Sequence, residues 1–217
     1  MTFSKFSTVQ DIAEVHGLAR AMKETWRWVV CLIYGRDFNS RFEIERQWIE
    51  SLQTKVSISG VEIGVRYGQN AEFLLETLDI DLLYLVDPYD AYEEYQEDWD
   101  TGMMGEAEEI ARNKLESYDS VKFIKEYSDE AMSELEGDFD FVYIDGNHEY
   151  EYVKKDLSNY YPMVKAGGIL AGHDYTGSWP GVAKAVDEFA QENDLQVNTD
   201  LWGDWYINKP VGIIESS

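Results

Sequence analysis

The stretch from Val56 to Leu75 constrains the fold more than any other part of the chain. A β-branched run up to Ile63 leads into a turn bracketed by Gly64 and Gly68, and a helical pattern of apolar residues follows. A strand, a glycine turn and a helix in this order place backbone N–H groups and a helix N-terminus beside a bound ligand. The dinucleotide fingerprint has a third glycine here, so this turn better suits a cofactor without a pyrophosphate. An ordinary tight turn between strand and helix is the alternative.

The composition excludes some classes of partner. The chain has 217 residues, a formal net charge of -25 and 44% hydrophobic residues. That length predicts one domain of ordinary size, and that apolar content can supply a full core. Because a strongly acidic surface repels phosphate, we expect neither nucleic acid nor an anionic membrane as a partner.

Cysteine content and apolar runs point to a cytoplasmic protein. Cys31 is the only cysteine, so no intramolecular disulfide can form. The longest apolar run, Val29 to Tyr34, is far shorter than the roughly 20 residues that a membrane span needs. No signal-peptide pattern opens the sequence.

The first 55 residues predict a helical cap. Apolar residues from Ile12 to Ile33 recur at spacings of three and four, which predicts one amphipathic helix, and a second helix is expected from Arg41 to Gln53. We expect these helices to cover the core or a second copy of the chain, so a homodimer is a hypothesis. The division predicted is therefore a cap at 1–55 and a ligand-binding domain at 56–217.

The rest of the chain alternates strands with helices. Further strands are predicted at Leu82–Val86, Val121–Lys125, Phe139–Ile144 and Ile169–Ala171, with two short strands at Leu195–Thr199 and Trp202–Asn208. Such alternation predicts an α/β fold, namely a Rossmann-like doubly wound, mostly parallel sheet. The last two strands predict an antiparallel hairpin at one edge.

Polar residues lie at the carboxyl ends of the five predicted parallel strands. These residues are Glu62, Asp87, Ser128, Asp145 and the pair His173-Asp174. Ligands of open α/β sheets bind outside the carboxyl ends of the strands, so these side chains are expected at one rim. Asp87, about 20 residues after the glycine turn, is placed to bind ribose hydroxyls; a turn or helix-capping role is its alternative.

The segment Tyr89–Gly105 is acidic and aromatic. A loop of this length inside a compact domain is usually functional or disordered, and its tyrosines, methionines and Trp99 argue against simple disorder. It is either a substrate lid or an exposed acidic turn. A helix is predicted to follow at Glu106–Tyr118.

Four motifs together resemble a known family. They read E-I-G-V-R-Y-G, L-V-D-P, F-D-F-V-Y-I-D-G-N-H and G-G-I-L-A-G-H-D-Y, and they span about Val56 to Lys209. The chain resembles the class I S-adenosylmethionine-dependent methyltransferases, in particular the small-molecule O-methyltransferases that include the catechol, macrocin and cephalosporin hydroxylase-like groups. The resemblance implies S-adenosylmethionine as cofactor and a small-molecule hydroxyl as methyl acceptor.

The resemblance also implies residue roles. Cofactor-binding positions would be Glu62, Gly64, Arg66, Gly68, Asp87, Ser128 and Asp145, with the first four at the methionine part, Asp87 at the ribose and Ser128 at the adenine. A divalent ion, Mg²⁺ or Mn²⁺, would be held by Asp145, His173 and Asp174. The family favours oxygen ligands at both positions of the pair, so His173 is a departure.

The chemistry leaves three functions open. A hydroxyl acceptor must lose its proton, either to a general base or with the help of a metal, and Asp145, His148 and His173 are the candidate catalytic residues. His148 is a base, an extra metal ligand or a structural residue at a helix start. Two histidines and one aspartate also match the facial triad of non-haem Fe(II) oxygenases. A binding module without catalysis is the third function.

Overall fold

The computed structural model describes residues 46–90, 101–200 and 203–211. Most of the predicted N-terminal cap, with its apolar stripe and Cys31, lies outside these residues, as do residues 91–100 of the predicted lid. The cap and the homodimer therefore stay predictions. No helix in the described part of the chain combines the length and apolar character that crossing a membrane requires.

Seven strands form one sheet in the order β3-β2-β1-β4-β5-β7-β6. The strands are β1 Ile58–Ile63, β2 Ile80–Val86, β3 Val121–Ile124, β4 Phe139–Ile144, β5 Val164–Gly172, β6 Asn198–Thr199 and β7 Trp205–Asn208. The first five pair in parallel, and β7 runs antiparallel to both β5 and β6. The predicted α/β fold with an antiparallel C-terminal edge is confirmed.

Six α-helices connect or flank these strands in the described residues. They are α1 Gln47–Glu50, α2 Gln69–Thr77, α3 Thr101–Leu115, α4 Ser128–Ala131, α5 Tyr150–Tyr160 and α6 Pro180–Glu192. Helix α3 begins earlier than the sequence predicts, so 101–105 is helical rather than part of a loop.

The sheet separates two apolar clusters, as expected of a parallel sheet that is covered on both faces. On one face, α5 and α6 pack through Val153, Leu157, Val182 and Val186. On the other face, α2 and α3 pack together with Trp48, Ile49 and Leu52 from the end of the predicted cap. Strand β4 is buried at all six positions, which matches its continuous apolar sequence.

The order of the strands reverses between β1 and β4. Both strands run in the same direction, but the chain crosses to β2 on one side and to β5 on the other. A crevice at the carboxyl ends of two such strands is the usual ligand site of an open α/β sheet. The predicted site residues after β1 and β4 lie at this point.

Candidate active site

The glycine turn after β1 adopts a backbone that few side chains tolerate. Gly64, Arg66 and Gly68 all have positive φ, of 84°, 51° and 72°. A Cβ on Gly64 would lie 2.1 Å from the carbonyl oxygen of Asp145, so no side chain fits there. Gly68 caps the N-terminus of α2 in a left-handed conformation. The turn therefore presents bare backbone towards the end of β4, as close approach to a ligand requires.

Asp87 holds this turn. One carboxylate oxygen accepts hydrogen bonds from the backbone N–H groups of Val65 and Arg66, both at 2.9 Å, and the other accepts one from Tyr89 N–H at 2.8 Å. Burial raises the pKa of Asp87, against the effect of these three donors. The Asp87 carboxylate, at the end of β2, thus stabilises the glycine turn. This contact is also what the alternative role of Asp87 as a turn residue predicts.

Glu62 lies at the end of β1 with only 1% of its surface exposed. Its strand neighbours are Leu85 on β2 and Tyr143 on β4. Tyr89 is buried next to it, and the hydroxyl of Tyr89 has no hydrogen-bond partner among the described residues. A buried carboxylate is costly unless it is paired with a cation or with hydrogen-bond donors.

Two aspartates and two histidines meet beyond β4 and β5. Nε2 of His148 lies 2.9 Å from Oδ2 of Asp174 and 3.8 Å from Oδ1 of Asp145. Nδ1 of His173 lies 3.0 Å from Oδ1 of Asp174 and 3.9 Å from Oδ1 of Asp145. The structure therefore brings together all four residues that the sequence predicts for metal binding and catalysis.

Three of these four residues lie close enough together to be candidate ligands of one metal ion. One donor atom each from Asp145, His148 and Asp174 lies within 4.8 Å of the others. Two carboxylates and one imidazole can hold Mg²⁺ or Mn²⁺. The predicted set named His173 in place of His148. His173 contacts the same carboxylates, and Asp174 sits at a φ of 60° between the two rings.

The two histidines and the two aspartates shift one another's pKa values. Burial alone would lower the pKa of His148, but the carboxylates of Asp145 and Asp174 outweigh it and raise that pKa to about 10. Burial opposes ionisation of Asp174, yet His173 and His148 hold the pKa of Asp174 well below its usual value. The cluster thus stabilises positive charge between the two aspartates.

Aromatic and amide groups complete this side of the site. The ring of Trp179, just before α6, packs at 4.5 Å from the ring of His148. Asn147 is 5% exposed, and its Oδ1 accepts a hydrogen bond from Glu149 N–H. The Nδ2 group of Asn147 is buried without a partner among the described residues. No motif in the sequence predicts Trp179 or Asn147 as a site residue.

Ser128 lies apart from the aspartates, at the start of α4. Its hydroxyl donates to Asp156 on α5, at 2.5 Å between oxygens. Asp156 is not among the predicted site residues, although its position in the sequence contains a signal. Asp156 falls in the stripe Val153, Asp156, Leu157, Tyr160, which has the spacing of a buried helix face.

A polar network lies beneath His173. Asp204, 3% exposed, accepts hydrogen bonds from Arg46 at 2.5 Å, Trp48 at 3.1 Å and Tyr143 at 3.0 Å. Nε2 of His173 is 4.0 Å from the same carboxylate. Arg46 also donates to Asn70 in the first turn of α2, at 2.5 Å. The network connects α2 with the edge strands.

Comparison with known proteins agrees with this architecture. The uncharacterized protein R132 of Acanthamoeba polyphaga mimivirus is 28% identical over 170 residues, which cover 74% of this chain and 71% of that protein. The O-methyltransferase NovP shares the fold at 22% identity and a TM-score of 0.58, over 78% of this chain and 79% of NovP. The O-methyltransferase from Bacillus cereus in complex with SAH does so at 14% identity and a TM-score of 0.53, over 96% and 100% of the two chains.

A family model also matches the sequence. The model is described as a methyltransferase domain and matches residues 61–175, more than half of the chain. The matched segment contains the glycine turn, Asp87, Ser128 and the cluster of two aspartates and two histidines. The resemblance seen in the sequence is confirmed, and the chain belongs to the methyltransferase domain family.

Proposed function

We propose that the chain transfers a methyl group from S-adenosylmethionine to a hydroxyl group of a small molecule, with a divalent ion held by Asp145, His148 and Asp174. The observation that carries this proposal is the direct contact between the glycine turn and Asp145. It would bring a cofactor in the turn close to an acceptor on the metal.

The cofactor half of the proposal rests on the glycine turn. The sulfonium and amino groups of S-adenosylmethionine are cationic, which suits the buried carboxylate of Glu62. Asp87 fixes the turn and is proposed to face the ribose, with the adenine towards Ser128. SAH, bound in the B. cereus relative, is the demethylated product of this cofactor.

The acceptor half rests on the cluster beyond β4 and β5. When bound, a divalent ion would lower the pKa of the acceptor hydroxyl and hold its oxygen. Asp145 and Asp174 would supply hard oxygen ligands and His148 a nitrogen ligand, while His173 would stand beside Asp174 as a further ligand or supporting contact. The Nδ2 group of Asn147 has no partner among the described residues and would be a donor for the acceptor molecule.

Methyl transfer from a sulfonium is an in-line displacement, so alignment is the main task of the protein. Correct positioning alone can contribute roughly 7–11 kcal/mol to lowering the barrier. The glycine turn and Asp145 are both fixed by backbone hydrogen bonds at the ends of strands. Gly64 N–H donates to Val86 O at 2.9 Å, and Asp145 N–H donates to Ile63 O at 2.7 Å. These bonds would fix the distance between methyl donor and acceptor.

Calorimetry with SAH and electron paramagnetic resonance with Mn²⁺ test the two halves separately. The wild-type protein should bind SAH, and it should bind one Mn²⁺ that Asp174→Ala abolishes while SAH binding persists. Asp81→Asn, an exposed aspartate at the opposite end of β2, is the matched control and should change neither. A wild-type protein that binds NAD but not SAH would contradict the proposal.

A further inference from the structure

Asp156 is a carboxylic acid on the buried face of α5. It is 3% exposed and lies between Val153 and Tyr160, which with Leu157 pack into the core. Removing a carboxylate from water is costly unless its oxygens are hydrogen-bonded. No residue of the proposed metal cluster contacts it. We therefore expect a hydrogen-bond donor beside the Asp156 carboxylate.

That donor is Ser128. The Ser128 hydroxyl is 2.5 Å from Oδ1 of Asp156, and the Tyr160 hydroxyl donates to the Ser128 carbonyl at 2.6 Å. Asp156 and Tyr160 are one helical turn apart, so α5 holds Ser128 by its side chain and its backbone together. Ser128 is half-buried and starts α4, just beyond the end of β3. It is thus a fixed polar group at the rim.

Few other charges act on Asp156. Asp129 on α4 raises its pKa and Lys155 on α5 lowers it, and these two residues pair with each other at 2.5 Å. Tyr160 is the other titratable group beside it. Among the described residues, β4 and α6 contribute no further charge. Burial is the main cause that raises the pKa of Asp156 to about 7, so both protonation states are accessible near neutral pH.

The protonation state of Asp156 decides what Ser128 offers to a ligand. An ionised carboxylate only accepts, so the Ser128 proton must point to Asp156 and the serine oxygen can only accept from outside. A protonated carboxyl group can donate to the serine oxygen, which frees the Ser128 proton to point outwards. Asp156 thereby converts one hydroxyl from an acceptor into a donor.

We propose that Asp156 is a positioning residue that sets the hydrogen-bond direction of Ser128, and that in its ionised form it selects a ligand offering a donor, such as the amino group of adenine. The inference rests on the proposed function, in which Ser128 faces the adenine. The same geometry disfavours a base with a carbonyl group at that position, such as hypoxanthine, when Asp156 is ionised.

Competition between two ligands tests this inference. SAH and S-inosylhomocysteine differ only in the base, where the 6-amino group and the N1 acceptor of adenine are replaced by the carbonyl group and the N1–H group of hypoxanthine. Their affinities would be measured by calorimetry at about pH 5.5 and about pH 8, on either side of the pKa of about 7. Using the ratio of the two affinities removes any pH effect that acts on both ligands equally.

The preference for SAH should be about tenfold larger at the higher pH, since one hydrogen bond is reversed. Asp156→Asn should make the preference independent of pH, because an amide does not titrate in this range. Ser128→Ala should also make the preference independent of pH, at a value between the two wild-type values, because the switching hydroxyl is gone. Glu151→Gln, an exposed residue on the same helix, should behave as the wild type. Thermal melting of each variant verifies that it is folded.

The possible failures are distinguishable. If the wild-type protein binds both ligands with a preference that does not change with pH, or if Asp156→Asn keeps the pH dependence, the inference is overturned and the proposed function stands. If the wild-type protein binds neither ligand at either pH, the proposed function is wrong and the inference falls with it.

Discussion

The Cα of Gly64 approaches the carbonyl of Asp145 so closely that a β-carbon there would lie 2.1 Å from the oxygen. The two residues follow neighbouring parallel strands, β1 and β4. The proposed cofactor turn and the proposed metal carboxylate are therefore parts of one backbone contact. A change on one side is expected to move the other.

Gly64→Ala should abolish SAH binding and lower the melting temperature. The positive φ of 84° alone would cost a non-glycine residue about 1–3 kcal/mol, and the clash with Asp145 adds to it. Gly105→Ala is the matched control, because a Cβ there meets nothing within 4 Å and the residue is in helix α3. That variant should be more stable by about 0.5–1 kcal/mol. Undiminished SAH binding by Gly64→Ala would contradict the proposal that this turn binds the cofactor.

Asp87→Asn should loosen the glycine turn even without a ligand. The amide nitrogen would face backbone N–H donors, and each buried donor left without an acceptor costs about 1–3 kcal/mol. We expect a lower melting temperature and SAH binding weakened at least tenfold, measured by calorimetry. Asp81→Asn serves as the control on the same strand. A normal melting temperature combined with weak SAH binding would instead assign Asp87 to the ligand alone.

Methyl transfer should depend on the metal. With catechols and glycosides as trial acceptors, release of SAH should stop in EDTA and return with Mg²⁺ or Mn²⁺. Asp174→Ala should lose nearly all turnover while still binding SAH. The competing account makes His148 a metal-free base. Full activity in EDTA together with loss in His148→Ala would support that account and exclude the metal.

Protein stability should fall between about pH 4 and about pH 7 because of Asp156. Its pKa rises from 3.8 to about 7 on folding, so the folded state binds a proton that the unfolded state releases as the pH increases through this range. The loss is on the order of 4 kcal/mol when complete. Asp156→Asn should remove this contribution, which melting curves at several pH values would show as a flatter profile than that of Glu151→Gln.

The strands could be predicted from the sequence more fully than their ends. The sequence predicts Phe139–Ile144 to the residue, because a strand buried on both faces has a continuous apolar sequence. It predicts the fifth strand as Ile169–Ala171, since Gly167-Gly168 is typical of a turn. The structure extends it from Val164 to Gly172, and a Cβ on Gly168 would meet the Asp140 carbonyl at 2.8 Å. Close strand packing, which a sequence does not display, explains that glycine.

Helix α3 and the candidate metal ligands depend on tertiary contacts that the sequence does not display. The acidic and aromatic composition of Tyr89–Gly105 predicts a loop, but packing of Ala107, Ala111 and Leu115 into the core stabilises a helix from Thr101. Both histidines were recognised as site candidates from their positions after strands. Which histidine completes a set with Asp145 and Asp174 depends on loop geometry after β4, and that geometry brings His148 within reach.

Arg46 limits how far the chain can be shortened from its N-terminus. Its guanidinium pairs with Asp204 where both side chains are at most 4% exposed, and it lies over the rings of Trp48 and Tyr143. Removing one partner of a buried ion pair costs about 3–5 kcal/mol. A fragment that began at Val56 would lose this cation together with three core side chains, Trp48, Ile49 and Leu52. An expression fragment meant to fold alone must therefore start upstream of Arg46, inside the segment that the sequence assigns to the cap.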